Sequence, residues 1–366
     1  MSYRYPVYQP SFSGEERRLV LDCIDSTWIS SKGRYIGEFE QRFASYLGAR
    51  HALSVSNGTV ALHVALMALG IGPGDEVLVP TLTYIASANA VRYVGADVVF
   101  VDSEPGYWQI DPEDAERRIT ARTRAIMPVH LYGHACDMAR IRALADKYGL
   151  LVIEDCAEAI GTEYEGRRVG TFGDISTFSF FGNKTITTGE GGMVVTGNDQ
   201  FADLVNRLKG QGLAQDREYW HDLVGYNYRM TNICAAIGCA QIGRIDEIVE
   251  RKQQIAGWYR DSLAGLPVEI HAVRPGTFHS YWMVSILTSE SRDRDPLRAH
   301  LKAGGIETRP VFNPIHQMPM YAAPERHFPV AENLASRGIN LPSYPDLSRA
   351  DVEAIGASIR AYFGER

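Results

Sequence analysis

The sequence predicts an α/β protein: a large lobe with a mostly parallel seven-stranded sheet between helices, followed by a smaller C-terminal α/β lobe. Three observations carry this expectation. From His51 to Gly197, short runs rich in Val and Ile, apolar on both faces, alternate with helix-period segments, the pattern of buried parallel strands covered by helices. A long helix-period segment opened by Thr231 then changes the texture. Beyond it comes a second, shorter set of strand and helix patterns.

Taken in order, HALSVS (51–56) reads as a strand that runs into a helix, GTVALHVALMALG (58–70). The turn GPGD leads into the strand EVLVP (76–80), and ASANAVRYVG (86–95) is helical. VVFVDS (98–103), AIMPVH (125–130) and LLVIED (150–155) are strands, with the helix DMARIRALADKYG (137–149) between the last two. STFSF (176–180) and GMVVTG (192–197) complete the seven. The segment 231–265 reads as one long helix N-capped by Thr231, leading from a large domain (1–245) into a small one (246–366). There YWMVSIL (281–287) is a strand, DPLRAHLKAGG (295–305) a helix and 346–363 a final helix. No internal repeat or low-complexity stretch interrupts the chain.

Composition excludes several classes. The 366 residues are 45% hydrophobic and 22% charged, enough for a large core and two lobes. The net charge of −7 comes from 37 basic and 44 acidic residues scattered without runs, so no concentrated basic face is expected for nucleic acid. A small anionic ligand held by local donors stays open. No apolar run reaches the length of a membrane span, and MSYRYPVYQPSF lacks a signal-peptide core. Cys23, Cys136, Cys156, Cys234 and Cys239 include no CxxC pair, so neither a disulfide framework, a zinc site nor another metal is expected. A cytoplasmic protein follows.

In an open α/β sheet, ligands collect outside the carboxyl ends of the strands, and three segments place unusual residues there. In SVSNGTVAL (54–62) a strand passes through Ser56-Asn57-Gly58-Thr59 straight into a helix, a turn that suits a phosphate or is simply a capped turn. LLVIEDCAEAIG (150–161) ends an apolar strand on Glu154 and Asp155, which suit a helix cap, a metal or a ligand. TFSFFGNKTITTGEGGMVVTG (177–197) sets Lys184 between two half-buried strands. A buried amine has a lowered pKa and is a candidate nucleophile toward an aldehyde; a lysine that only snorkels to solvent is the alternative. GNKT fails the P-loop spacing, and GEGG leads into a strand and not a helix. Each segment is weak alone. Together, a phosphate cradle, a carboxylate at a strand end and a lysine are the parts that hold pyridoxal 5'-phosphate.

These segments, with VHLYGHACDM, GYNYRMTNICAAIG and RPVFNPIH, resemble the nucleotide-sugar aminotransferases of the DegT/DnrJ/EryC1/StrS family, pyridoxal-phosphate-dependent enzymes of fold type I. The resemblance runs from Trp28 in TWISSKGRYIGEFE to INLPSYPDLS, most of the chain. It implies that Lys184 binds the cofactor aldehyde covalently and then moves the proton, and that Asp155 partners the pyridinium nitrogen. Gly58, Thr59 and Ser179 match phosphate contacts. Tyr84 matches the aromatic that stacks on the ring, core packing being its other reading. Glu158 stands where many members have Gln, and must be protonated or share a proton to bond the phenolic oxygen. Asn227 matches the residue that reaches the neighbouring subunit's cofactor, which implies a homodimer with shared active sites. Arg229 matches a phosphate or substrate contact, with packing or a surface ion pair equally open. Trp28, Ser30 and His316 match substrate-side positions, although His316 reads as well as a structural histidine.

The implied reaction moves the amino group of L-glutamate to the 4-keto carbon of a nucleotide-linked 6-deoxy sugar. TWISS, TYIASAN, FSFFGNK and GYNYRMTN point to GDP-4-keto-6-deoxymannose, and to an O-antigen or other cell-surface glycan as the setting. The alternatives are another nucleotide keto sugar (UDP- or dTDP-linked, aminated at C3 or C4) and a non-catalytic binding protein of the same fold. A branch of the family carries histidine in place of the lysine and dehydrates its substrate; this chain keeps lysine.

Overall fold

The computed structural model describes residues 3–214, 216–322 and 327–364. Seven strands form the central sheet: β1 (His51–Val55), β2 (Glu76–Pro80), β3 (Asp97–Val101), β4 (Thr123–Ile126), β5 (Leu151–Asp155), β6 (Ile175–Ser179) and β7 (Gly192–Thr196). Their order is β1-β7-β6-β5-β4-β2-β3. Every pairing is parallel except those of β7, which runs antiparallel to both β1 and β6. The exception has a local cause. Ser179 pairs with Gly192, so the connection 180–191 returns at the same edge without a crossover helix, and only antiparallel neighbours can be joined that way. Lys184 lies in this connection. It therefore sits at the carboxyl end of β6, the edge to which β5 delivers Asp155.

Helix Gly58–Ala68 is buried nearly all round, as expected for a helix packed on a sheet inside a larger body. Helix Arg34–Leu47 buries Tyr35, Phe39, Phe43 and Leu47 at four-residue spacing, and its Phe39 ring packs so closely on Gly238 that a Cβ there would lie 2.8 Å away. In the C-terminal part, a four-stranded antiparallel sheet runs in the order 268–270, 284–288, 338–341, 309–310. Tyr5 pairs with Ile306 and is buried in this lobe's core, so the chain's first described residues sit with its last third. Among the described residues, no helix is long and apolar enough to cross a membrane.

Two expectations are corrected. Segment 231–265 is not one helix but two, Asn232–Ile242 and Ile245–Ser262, broken at Gly243–Arg244. Arg244 leaves helical geometry (φ −119°, ψ 9°), and Asp246 and Glu247 occupy the first turn of the second helix, where acidic groups complement the N-terminal dipole. β4 ends at Ile126 and not at His130; Pro128 has no N–H to extend the ladder, and only the Val129–Asp155 bridge continues it.

The last two residues of β5 face opposite ways, as strand alternation demands, and only one reaches the carboxyl-edge cavity. Glu154 is fully buried and accepts hydrogen bonds from the backbone N–H groups of Gly170 (2.8 Å), Phe172 (2.7 Å) and Gly173 (2.6 Å) and from His130 Nε2 (3.1 Å). His130 Nδ1 accepts from Cys136 N at 3.1 Å, which leaves Nε2 as the protonated nitrogen. Burial pushes the Glu154 carboxyl up, but His130 and the backbone N–H groups outweigh it and hold it below its ordinary value. This carboxylate pins the 170–173 turn to the sheet. Glu154→Ala orphans three buried N–H groups and should cost on the order of 4 kcal/mol of stability, read as a lower denaturant midpoint at unchanged slope.

Candidate active site

The carboxyl ends of β1, β5 and β6 open into one cavity of about 740 Å³. At one side lies the start of helix Gly58–Ala68. Asn57 caps it, its side chain accepting from Val60 N at 2.9 Å. A Cβ on Gly58 would lie 2.8 Å from the Cβ of Ser179, so glycine is what lets the helix start approach β6. The remaining first-turn N–H groups lack intrahelical partners by the geometry of any helix start. They line the cavity together with Thr59 and Ser179, a grouping of donors suited to an anion.

Asp155 lies deeper. Its Oδ2 accepts from Ser87 Oγ (2.8 Å) and its Oδ1 from Ala157 N (3.1 Å). Burial pushes its carboxyl above the usual range, against these bonds and the charge of Lys184. A buried carboxylate whose hydrogen-bond donors are neutral favours a cationic partner. Lys184 projects its Nζ to 3.6 Å from Glu158 Oε1 and 4.0 Å from the centroid of the Trp282 ring. Its own carbonyl accepts from the Tyr8 hydroxyl. Burial lowers the lysine pKa, and the charges of Glu158 and Asp155 partly restore it. Glu158 Oε2 accepts from Tyr132 N at 2.8 Å, and burial pushes its carboxyl up to about 7 against the pull of Lys184.

Gly58, Thr59, Tyr84, Asp155, Glu158, Ser179, Lys184 and Asn227 all line this cavity. Tyr84 and Asn227 are exposed, Tyr84 facing Phe312 with ring centroids 5.8 Å apart. Trp28, Ser30, Arg229 and His316 are not among the lining residues of the single chain. Trp28 is 57% exposed, and its carbonyl accepts from Asn232 Nδ2 at 2.6 Å, while the Ser30 carbonyl accepts from Asn232 N at 2.7 Å. Arg229 bridges its backbone to Val55 at the end of β1, and its Nε is buried without a hydrogen-bond partner among the described residues. His316 has both ring nitrogens engaged, Nδ1 with Thr81 Oγ1 at 2.8 Å and Nε2 with Glu332 at 3.1 Å, the arrangement of a structural histidine.

Ser87, Tyr132 and Trp282 escaped the sequence reading. Ser87 follows Tyr84 by three residues in TYIASAN, so helical spacing could have found it. Trp282 carries no local signal; it reaches Lys184 only through tertiary packing.

The residues fit pyridoxal phosphate on their own chemistry. A largely buried amine whose pKa is lowered suits an aldehyde, a buried carboxylate with only neutral donors suits a protonated ring nitrogen, and the cradle suits a phosphate. Fold and cavity define a pyridoxal-phosphate-dependent transferase of fold type I. The model of the DegT/DnrJ/EryC1/StrS aminotransferase family matches residues 10–360, and the chain belongs to that family. It is 58% identical over 361 residues to the GDP-perosamine synthase of Escherichia coli O157:H7, covering 99% of each chain. To the GDP-perosamine synthase of Vibrio cholerae it is 54% identical, over 98% of this chain and 99% of that one. Among solved structures, Streptomyces venezuelae DesV in complex with a ketimine intermediate superposes with a TM-score of 0.91 at 38% identity, over 96% of this chain and 95% of that one.

The raised Glu158 pKa has a sign that can be measured. A carboxyl whose folded pKa lies above its unfolded value contributes stability at low pH that is lost as pH rises from the ordinary carboxyl range through about 7. Glu158→Gln should flatten the pH dependence of Tm across that window in cofactor-free protein. An unchanged slope would show that Glu158 is ionised throughout.

Proposed function

We propose that this chain transfers the amino group of L-glutamate to C4 of GDP-4-keto-6-deoxymannose, giving GDP-perosamine. The observation that carries the reading is the convergence of Lys184, Asp155 and Glu158 in one buried cavity beside an anion cradle. Relatives bearing the name GDP-perosamine synthase at 50–58% identity over nearly their whole length support the substrate.

In this reading the roles follow from the surroundings of each group. Bound pyridoxal phosphate supplies an electron sink that lets a proton leave a carbon bearing nitrogen. Lys184 carries the aldehyde and, once released, moves that proton; its burial and its position beside Glu158 suit both tasks. Asp155 keeps the ring nitrogen protonated, with Ser87 and the Ala157 N–H fixing the carboxylate. Thr59, Ser179 and the Gly58 backbone hold the phosphate, and Tyr84 covers the ring face. Glu158 bonds the phenolic oxygen in the protonated form that its raised pKa favours. Substrate binding falls to Trp28, Ser30 and Arg229, of which Arg229 has the strongest support, since its Nε lacks a partner among the described residues near the end of β1. His316, with both ring nitrogens engaged, acts as a structural histidine.

The same reading divides the chain into a cofactor domain (1–245) and a small domain (246–366). It makes the working unit a cytoplasmic homodimer, with Asn227 of one subunit completing the other's site, in the synthesis of a bacterial cell-surface glycan such as an O-antigen. The exposed Asn227 at the cavity supports the sharing.

Incubation with L-glutamate and a panel of GDP-, UDP- and dTDP-linked keto sugars tests the substrate. The expected product is the 4-amino sugar from the GDP-linked mannose derivative, with 2-oxoglutarate released in equal amount. Efficient turnover of only a UDP- or dTDP-linked sugar would replace the reading. Lys184→Ala should slow each half-reaction by at least about 10²–10⁴-fold, and wild-type single-turnover rates in that variant would remove the lysine from the mechanism. Light scattering should give twice the chain mass of 40.7 kDa, and Asn227→Ala should weaken cofactor retention without changing that mass.

A further inference from the structure

Trp282, a large side chain from the C-terminal lobe, is set directly against the Lys184 amine. Its ring centroid lies 4.0 Å from Lys184 Nζ, and its Nε1–H donates to the carbonyl of Asn183, the residue before the lysine, at 2.6 Å. The tryptophan therefore grips both the tip of the lysine and the backbone from which it springs. It is held in turn from behind. The fully buried Lys252 donates to the Trp282 carbonyl (3.1 Å) and the Ser343 carbonyl (2.8 Å), and the Trp282 ring lies parallel to the buried Tyr132 ring at 6.0 Å. Tyr132 also donates its N–H to Glu158. One aromatic pair thus braces the two groups that face Nζ.

Lys184 must take two positions if the function proposed above holds, and this inference rests on that reading. In one its nitrogen is bonded to the cofactor. In the other the lysine nitrogen is free, charged or neutral, on a side chain that is only 12% exposed. A free ammonium in such a place needs a seat. The face of an indole is the strongest seat that an aromatic side chain offers a cation, and the Glu158 carboxyl lies 3.6 Å from the same nitrogen.

We propose that Trp282 is a positioning residue for Lys184, its indole face being the seat of the free amine between half-reactions. The seat keeps Nζ within reach of the proton and aldehyde positions, so that neither lysine release nor its return requires a search among rotamers. Trp282 makes no demand on either substrate, and its effect falls on the steps in which the lysine moves.

The test uses full-length protein stripped of cofactor and reconstituted with pyridoxal 5'-phosphate. Loading condenses the Lys184 amine with the aldehyde and releases one water; it is followed by absorbance at saturating cofactor and located by borohydride reduction and mass analysis. Trp282→Leu should lower the first-order loading rate and kcat roughly tenfold, the scale of a desolvated cation–π contact, with KM for both substrates unchanged. Trp282→Phe keeps a ring face and loses the N–H, and should recover part of both rates. Equal loading rates and kcat in wild type and Trp282→Leu would overturn the proposal. So would a loss confined to KM, or rates in Trp282→Phe no better than in Trp282→Leu, since the ring face would then contribute nothing. Failure of the wild-type protein to load at Lys184 would instead overturn the proposed function on which this rests.

Discussion

The site depends on one constraint: an amine and two carboxyl groups must share one pocket in which each of them is largely buried. Burial disfavours all three charges, lowering the lysine pKa and raising those of Asp155 and Glu158. Each charge is tolerated because of the others, and none is fully compensated. Such an arrangement costs stability in isolation, yet it sets an amine of lowered pKa beside a carboxyl whose pKa is pushed up to about 7, a pairing found where protons are moved. The scaffold around it is correspondingly stiff. Glu154 faces away from the cavity and ties a turn to the sheet, while Ser87, Ala157 and Tyr132 fix the two carboxyl groups that face it.

The reversed strand β7 is what makes this possible. A crossover from β6 to a parallel neighbour would carry the chain away over the sheet face and return it at the far edge. Antiparallel pairing instead keeps 180–191 at the carboxyl edge, between the strand that ends at Asp155 and the helix that starts at Gly58. Gly192 is part of the same device, since a Cβ there would lie 2.5 Å from the Asn57 carbonyl oxygen. Sheet topology and chemistry are one solution here.

That division also explains what the sequence could reveal. The strands were legible because most of their residues are buried and their sequences are rich in apolar residues, and Asp155 and Lys184 stood out as charges beside such runs. Local patterns drew attention to Gly58, Thr59 and Asp155, where strands and helices of the central sheet end or begin, and to Lys184 between two of its strands, whereas Tyr84, Glu158, Ser179 and Asn227 came from the resemblance to the family. Trp282 and Tyr132 were invisible for the opposite reason: a buried aromatic in an apolar stretch looks like core until tertiary structure sets it against an amine. The break at Gly243–Arg244 was hidden because the apolar spacing of its two helices carries through the kink, and only the Arg244 backbone departs from helical values.

The substrate side is the least legible part, and the single chain accounts for it. Trp28 and Ser30 follow helix Glu15–Asp25, on which Leu21 and Ile24 are 45% and 54% exposed; Trp28 and Ile29 are 57% and 48% exposed, and Phe12 57%. Scattered exposed apolar residues are ordinary, but so many within eighteen positions of one segment are not. The backbone around Trp28 and Ser30 is nonetheless firmly tied, through Asn232, to the start of the helix that follows Asn227 and Arg229. In the homodimer proposed above, this tethered, exposed apolar segment would face the second copy of the chain, and Trp28 and Ser30 would serve a site that the second copy completes.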